Sequence, residues 1–130
     1  MMQQNAGRAI TTLQALGVFA ALASLVLVVS PTLVHDPGPA PDVFEATERH
    51  VRWGLGISLG AWLIVKRWRR PWSVLFAWTV FCLSGGYLVA RFIGMAIEGP
   101  TNQDQWVLVA VEVAVCAAAA FWIHRKRDAP

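Results

Sequence analysis

Twenty consecutive residues, 10–29, carry no charged side chain, and that run limits what the chain can become. As an α-helix it would be ~30 Å long, the thickness of a bilayer's hydrocarbon core. Three more apolar runs follow, at 51–65, 72–97 and 106–123; the third holds one arginine, Arg91, and the fourth one glutamate, Glu112. Apolar residues gathered into blocks, rather than alternating or spaced for one helix face, read as membrane spans. Hydrophobic residues are 56% of the chain and charged residues 15%, too apolar a balance for a soluble domain. With 130 residues there is room for one domain, 1–130. The expectation is an all-α integral membrane four-helix bundle with spans at about 10–30, 47–65, 72–98 and 106–123.

The first run competes with a secretory signal peptide, but its apolar region is long for one and no small-residue cleavage site follows closely. An uncleaved helix is expected, ended by Ser30 and Pro31. Prolines 31, 37, 39 and 41 then predict an irregular surface segment. The second run is only fifteen residues, so its helix should begin upstream, near Thr47, with Arg49 and Arg52 snorkelling outward. The stretch 44–50 can begin that helix earlier still, with Asp42 as N-cap. Gly56 and Gly60 place small residues one turn apart, a face that lets another helix approach closely; Gly54 lies nearby. Gly85 and Gly86 allow a bend or a close contact in the third run. Gly99 suits a left-handed C-cap, with Pro100 blocking continuation. Cys82 and Cys116 sit in different runs with no CxxC spacing, and read as small packing residues.

Orientation follows from the basic residues. Arg8, the cluster at 66–70 and the cluster at 125–127 supply eight of them on one side, while the opposite loops are acidic, with Asp36, Asp42, Glu45 and Glu48. Both termini are therefore expected in the cytoplasm, N-in and C-in. Trp53 and Trp106 mark the outer interface; Trp68, Trp72 and Trp122 mark the inner one. The same placement argues against nucleic acid as the reason for the net charge of +3.

Two charges, Arg91 and Glu112, lie deep inside the runs, well away from their ends. Arg91 precedes Glu98 by seven residues, ~10 Å below the outer end of its helix. Glu112 follows Trp106 by six, ~9 Å below the same surface on the way back. A short loop joins the two helices, so Arg91 and Glu112 are expected to pair. Either one alone in hydrocarbon costs about 3 kcal/mol on insertion scales. Glu98 shares a face with Arg91 at a spacing of seven. Arg52, with Glu48, is placed to close the cluster from the second span, and Tyr87, one turn below Arg91, to add a hydroxyl. The pair reads either as a register-fixing ion pair or as an outward polar pocket for something anionic or proton-bearing.

Other chemistries lack residues. Haem would need histidines inside spans, but His35, His50 and His124 lie at or beyond span ends. No metal set is evident: the only imidazole near the cluster is His50. No nucleophilic triad, P-loop or GxGxxG occurs. The expectation is accordingly no cofactor, no metal and no catalytic residue, with an enzyme the weakest of three readings.

The stretch R-F-I-G-x-x-x-E-G-P at 91–100, Glu112 in the last span and the glycines 54, 56 and 60 together resemble a bacterial family catalogued as domain of unknown function 4345. The resemblance covers roughly residues 16–123 and implies a small four-helix inner-membrane protein, loosely similar to the DoxX-like group, with no established activity. Glu98 stands where Asp is more usual in that family. Two functions stay open: binding or transport of a small solute or lipid at Arg91, Glu98, Glu112, Arg52 and Tyr87, or a structural subunit of a membrane complex. In the second, the Arg91–Glu112 pair is helix glue and Gly56 and Gly60 dock a membrane partner or a second copy.

Overall fold

The computed structural model describes residues 2–65, 72–99 and 103–127, and the regular structure within them is entirely α-helical. The expected basic turn at 66–70, with Trp68, and the turn at 100–102 lie outside the described residues. So do the side chains of residues 2–3, 5–11 and 127, Arg8 among them. The described residues form five helices: α1 (Met2–Val29), α2 (Val43–Val51), α3 (Gly54–Ile64), α4 (Trp72–Glu98) and α5 (Gln103–Arg127). Helices α1, α4 and α5 are long and apolar enough to cross a membrane.

The second run departs from the expected single helix starting near Thr47. Asp42 is an extended N-cap whose carboxylate accepts the Glu45 N–H at 2.8 Å, so the helix begins at Val43. Glu45 in the first turn complements the helix dipole. At Arg52 and Trp53 the ladder tightens: Trp53 N–H donates to His50 C=O and Gly56 N–H to Trp53 C=O, both at 3.2 Å. These are three-residue bonds of the 3₁₀ kind, and they join α2 to α3 without leaving helical backbone. Helix α3 alone has eleven residues, or ~16 Å; with α2 the rod spans 43–64, ~33 Å.

Neighbours in the chain pack antiparallel. Along α1 and the α2–α3 rod, Gln14 donates to Ile64 C=O at 3.0 Å, Gly17 meets Gly60, and the Val28 carbonyl meets His50. Along the rod and α4, Trp62 donates to Thr79 at 2.9 Å and Ser58 to Leu83 C=O at 3.0 Å, while His50 reaches Glu98. Helix α5 lies on α4 and also reaches α2, through Gln105.

Small residues set these distances. A Cβ on Gly60 would stand 2.5 Å from the Gly17 carbonyl oxygen, and one on Gly54 2.9 Å from Ala90 Cβ. Gly56 faces Ser24. Gly56 and Gly60 therefore seat α1, while Gly54 and Ser58 seat α4, so both stripes are filled by this chain's own helices. Of the Gly85–Gly86 pair, Gly86 makes the close contact, against Ser58, and Gly85 faces open space; α4 runs through both. Gly99, at φ +91°, ends α4 with its N–H on the Met95 carbonyl at 3.3 Å.

Candidate polar site at Arg91

The site is assembled where α2 crosses α4. Gly94, one turn beyond Arg91, has the Thr47 carbonyl and His50 Cβ within 3.1 Å of where its own Cβ would be. A glycine lets α2 lie that close without a shift, and α2 here brings Glu48 over Arg91. Thr47 itself is fully buried and ties its hydroxyl to the Val43 carbonyl at 2.9 Å.

Arg91 is 4% exposed. Its Nε donates to both Glu112 oxygens, at 3.3 and 3.2 Å, and its Nη2 to Glu112 Oε1 at 3.0 Å. Its Nη1 donates to Glu48 Oε1 at 2.5 Å and to Gln105 Oε1 at 2.6 Å. Four of the five guanidinium N–H bonds are thus taken up by α2 and α5. Gln105, with no exposed surface, turns its amide nitrogen to Glu48 Oε1 at 3.3 Å and the Phe44 carbonyl at 3.4 Å. One cation and two carboxylates leave one negative charge over when both acids are ionised. The side chains of Glu48 and Glu112 are 24% and 17% exposed, which leaves them partly desolvated.

A second pair stands beside it. His50 is 1% exposed. Its Nδ1 meets the Val28 carbonyl, and its Nε2 lies 2.7 Å from Glu98 Oε1. A carbonyl oxygen only accepts, so Nδ1 carries a hydrogen. Nε2 also faces an oxygen, that of the Glu98 carboxylate. This pair joins α1, α2 and the end of α4.

Of the residues expected at the site, the structure brings Arg91 and Glu112 together. Glu98 makes no hydrogen bond to Arg91 among the described residues: His50, buried on α2, takes it instead. Arg52 is not in the cluster either. Its side chain is 65% exposed and donates to Glu45 Oε1 at 2.9 Å. Tyr87 is half-buried beside Gly54 and makes no hydrogen bond to these groups among the described residues. Gln105 joins the site unanticipated, although it precedes Glu112 by seven residues and so shares its helix face. Among the described residues no three His, Cys, Asp or Glu side chains converge as a metal site requires.

Comparison of the chain with protein-family models, with curated proteins and with solved structures gives no match in any of the three.

Proposed function

We propose that the chain is a multi-pass protein of the bacterial inner membrane, crossing four times as a four-helix bundle through α1, the α2–α3 rod, α4 and α5, with both termini cytoplasmic. Support comes from three apolar helices of spanning length and from large apolar side chains turned outward, with Phe19 and Phe76 both 71% exposed. Such faces suit lipid and not water. Trp72 and Trp122 are exposed near one end of the helices, and Lys126 lies over the Trp122 ring at 5.2 Å, an arrangement suited to the interface. Reporter fusions test the topology: those in the 66–70 turn and at the C-terminus should report cytoplasm, and one at 101–102 the periplasm. A periplasmic 66–70 turn would overturn it. Kinship with the domain of unknown function 4345 family is part of the same reading.

The Arg91 cluster is, in this proposal, a binding site for a small proton-bearing or cationic solute in the outer half of the membrane. One observation carries it: Arg91 is shared by Glu48 and Glu112, so the cluster's spare capacity is for positive charge. A desolvated charge without a counter-charge is costly, and a proton, an amine or another N–H donor relieves it. An anion would meet a guanidinium already occupied. Occupancy of that guanidinium also favours the second reading, a clamp that only fixes α2, α4 and α5. Glu48→Gln separates them. A binding site loses uptake of a permeant amine into proteoliposomes while the fold persists; a clamp leaves uptake at the level of empty vesicles in both proteins.

A further inference from the structure

Arg52, displaced from the Arg91 cluster, lines a different feature. Between the end of α1, the following loop and the outer side of α2 lies a half-open cleft of about 310 Å³, at the small end of ligand sites. Arg49, Arg52, His35, Thr32 and Trp53 face it, and no acidic side chain is in its lining.

The cleft is held in shape from beneath. Asp36 accepts the Gly38 N–H at 2.9 Å, and Gly38 takes φ +89°, so the loop turns sharply. Arg49 Nη1 donates to the Gly38 carbonyl at 2.5 Å, which fastens that turn to α2 and fixes the guanidinium. The Nε of Arg49 is buried without a hydrogen-bond partner, with Glu45 Oε1 4.0 Å away. Glu45 is shared, since Arg52 Nη2 holds the same oxygen at 2.9 Å. Arg49 and Arg52 thus share one contacting carboxylate, and Arg52 keeps N–H donors in reach of solvent. Asp36, between the lining residues His35 and Pro37, turns a carboxylate oxygen to the Gly38 N–H.

We propose that this cleft binds a phosphate group, with Arg52 and Arg49 as its charged donors, Thr32 and His35 as further polar contacts, and Trp53 as a wall. Arginine forks suit phosphate oxygens, and a fixed guanidinium loses little freedom on binding. The phosphate belongs either to a diffusible solute or to a lipid headgroup. The site is separate from Arg91 and stands or falls without it.

The full chain, purified in detergent, is titrated with inorganic phosphate by calorimetry; the chain in phosphatidylcholine nanodiscs containing phosphatidylglycerol is examined by native mass spectrometry for retained anionic lipid. Arg52→Gln is the main variant, since an exposed side chain can be changed without unfolding the chain, and Arg52→Lys keeps the charge. Phosphate binding weakened about tenfold or more in Arg52→Gln, partly restored in Arg52→Lys and reduced by salt, supports a diffusible ligand. Retention of phosphatidylglycerol lost in Arg52→Gln, without phosphate binding, supports a lipid. Folded wild-type protein that takes neither, or takes either one undiminished in Arg52→Gln, overturns the proposal.

Discussion

Arg91, on α4, and Arg52, at the C-terminal end of α2, are the same residue type with opposite fates. Arg91 is 4% exposed and gives four N–H bonds to its own chain. Arg52, with 65% of its side chain exposed, holds one carboxylate oxygen at the edge of a cleft. A buried cation is thus no guide to an anion site. Where carboxylates outnumber it, the site's remaining appetite is for positive charge, and where cations outnumber the carboxylate the reverse holds. Anion recognition fits Arg49 and Arg52 better than it fits Arg91.

Substitutions at and around the two arginines should differ widely in their cost. The largest expected effect is at Arg91. Arg91→Gln strands Glu48 and Glu112 in a partly desolvated site and should lower stability by about 3–5 kcal/mol, measured by denaturation in mixed micelles. A loss below about 1 kcal/mol, the range of exposed ion pairs, would mean the cluster is solvated like a surface. Next comes Gly60→Leu, whose side chain would meet the Gly17 and Ala21 backbone. A cost of about 1–3 kcal/mol or more is expected, because the obstacle is main chain and no flexible neighbour can yield. A wild-type melting curve for this variant would deny the α1 contact.

The charge reversal Arg91→Glu with Glu112→Arg is more discriminating. Alone it should fail, since the carboxylate placed at position 91 would face Glu48. Adding Glu48→Gln removes that repulsion and should recover most of the stability, read from the same denaturation curves. Recovery without Glu48→Gln would show that Glu48 does not share the guanidinium. Smallest is Arg52→Gln, whose surface ion pair with Glu45 is worth about 0.5 kcal/mol or less. A larger loss would show that Arg52 is a structural residue like Arg91.

Much of this is legible in the order of residues. Hydropathy blocks locate the long helices because lipid demands continuous apolar length. The Arg91–Glu112 pairing follows from depth, since rise per residue and a short connection suffice to match two neighbouring helices. Asp42 and Gly99 reveal helix ends because each supplies what a terminus lacks, an acceptor for a free N–H or a positive φ. The partners of Glu98, Arg52 and Gln105 are not legible in the same way. A spacing of seven says that Glu98 and Arg91 share a face, but not which neighbour covers each end of it. That depends on how α2 rolls onto α4 at Gly94, a contact between residues far apart in the chain. Gln105 reads as a turn residue when the last helix is taken to begin at Trp106; its start at Gln103 moves the glutamine onto the Glu112 face.

The claim that one cation is shared by two carboxylates is tested most directly by the stability of Glu48→Gln beside that of Arg91→Gln. Neutralising Glu48 removes the excess charge while keeping an oxygen for Arg91 Nη1 to donate to. The variant should therefore unfold at the same denaturant concentration as the wild type or higher, while Arg91→Gln unfolds well below it. If Glu48→Gln is destabilised as severely as Arg91→Gln, the cluster carries no surplus negative charge, and the account of what it binds is wrong.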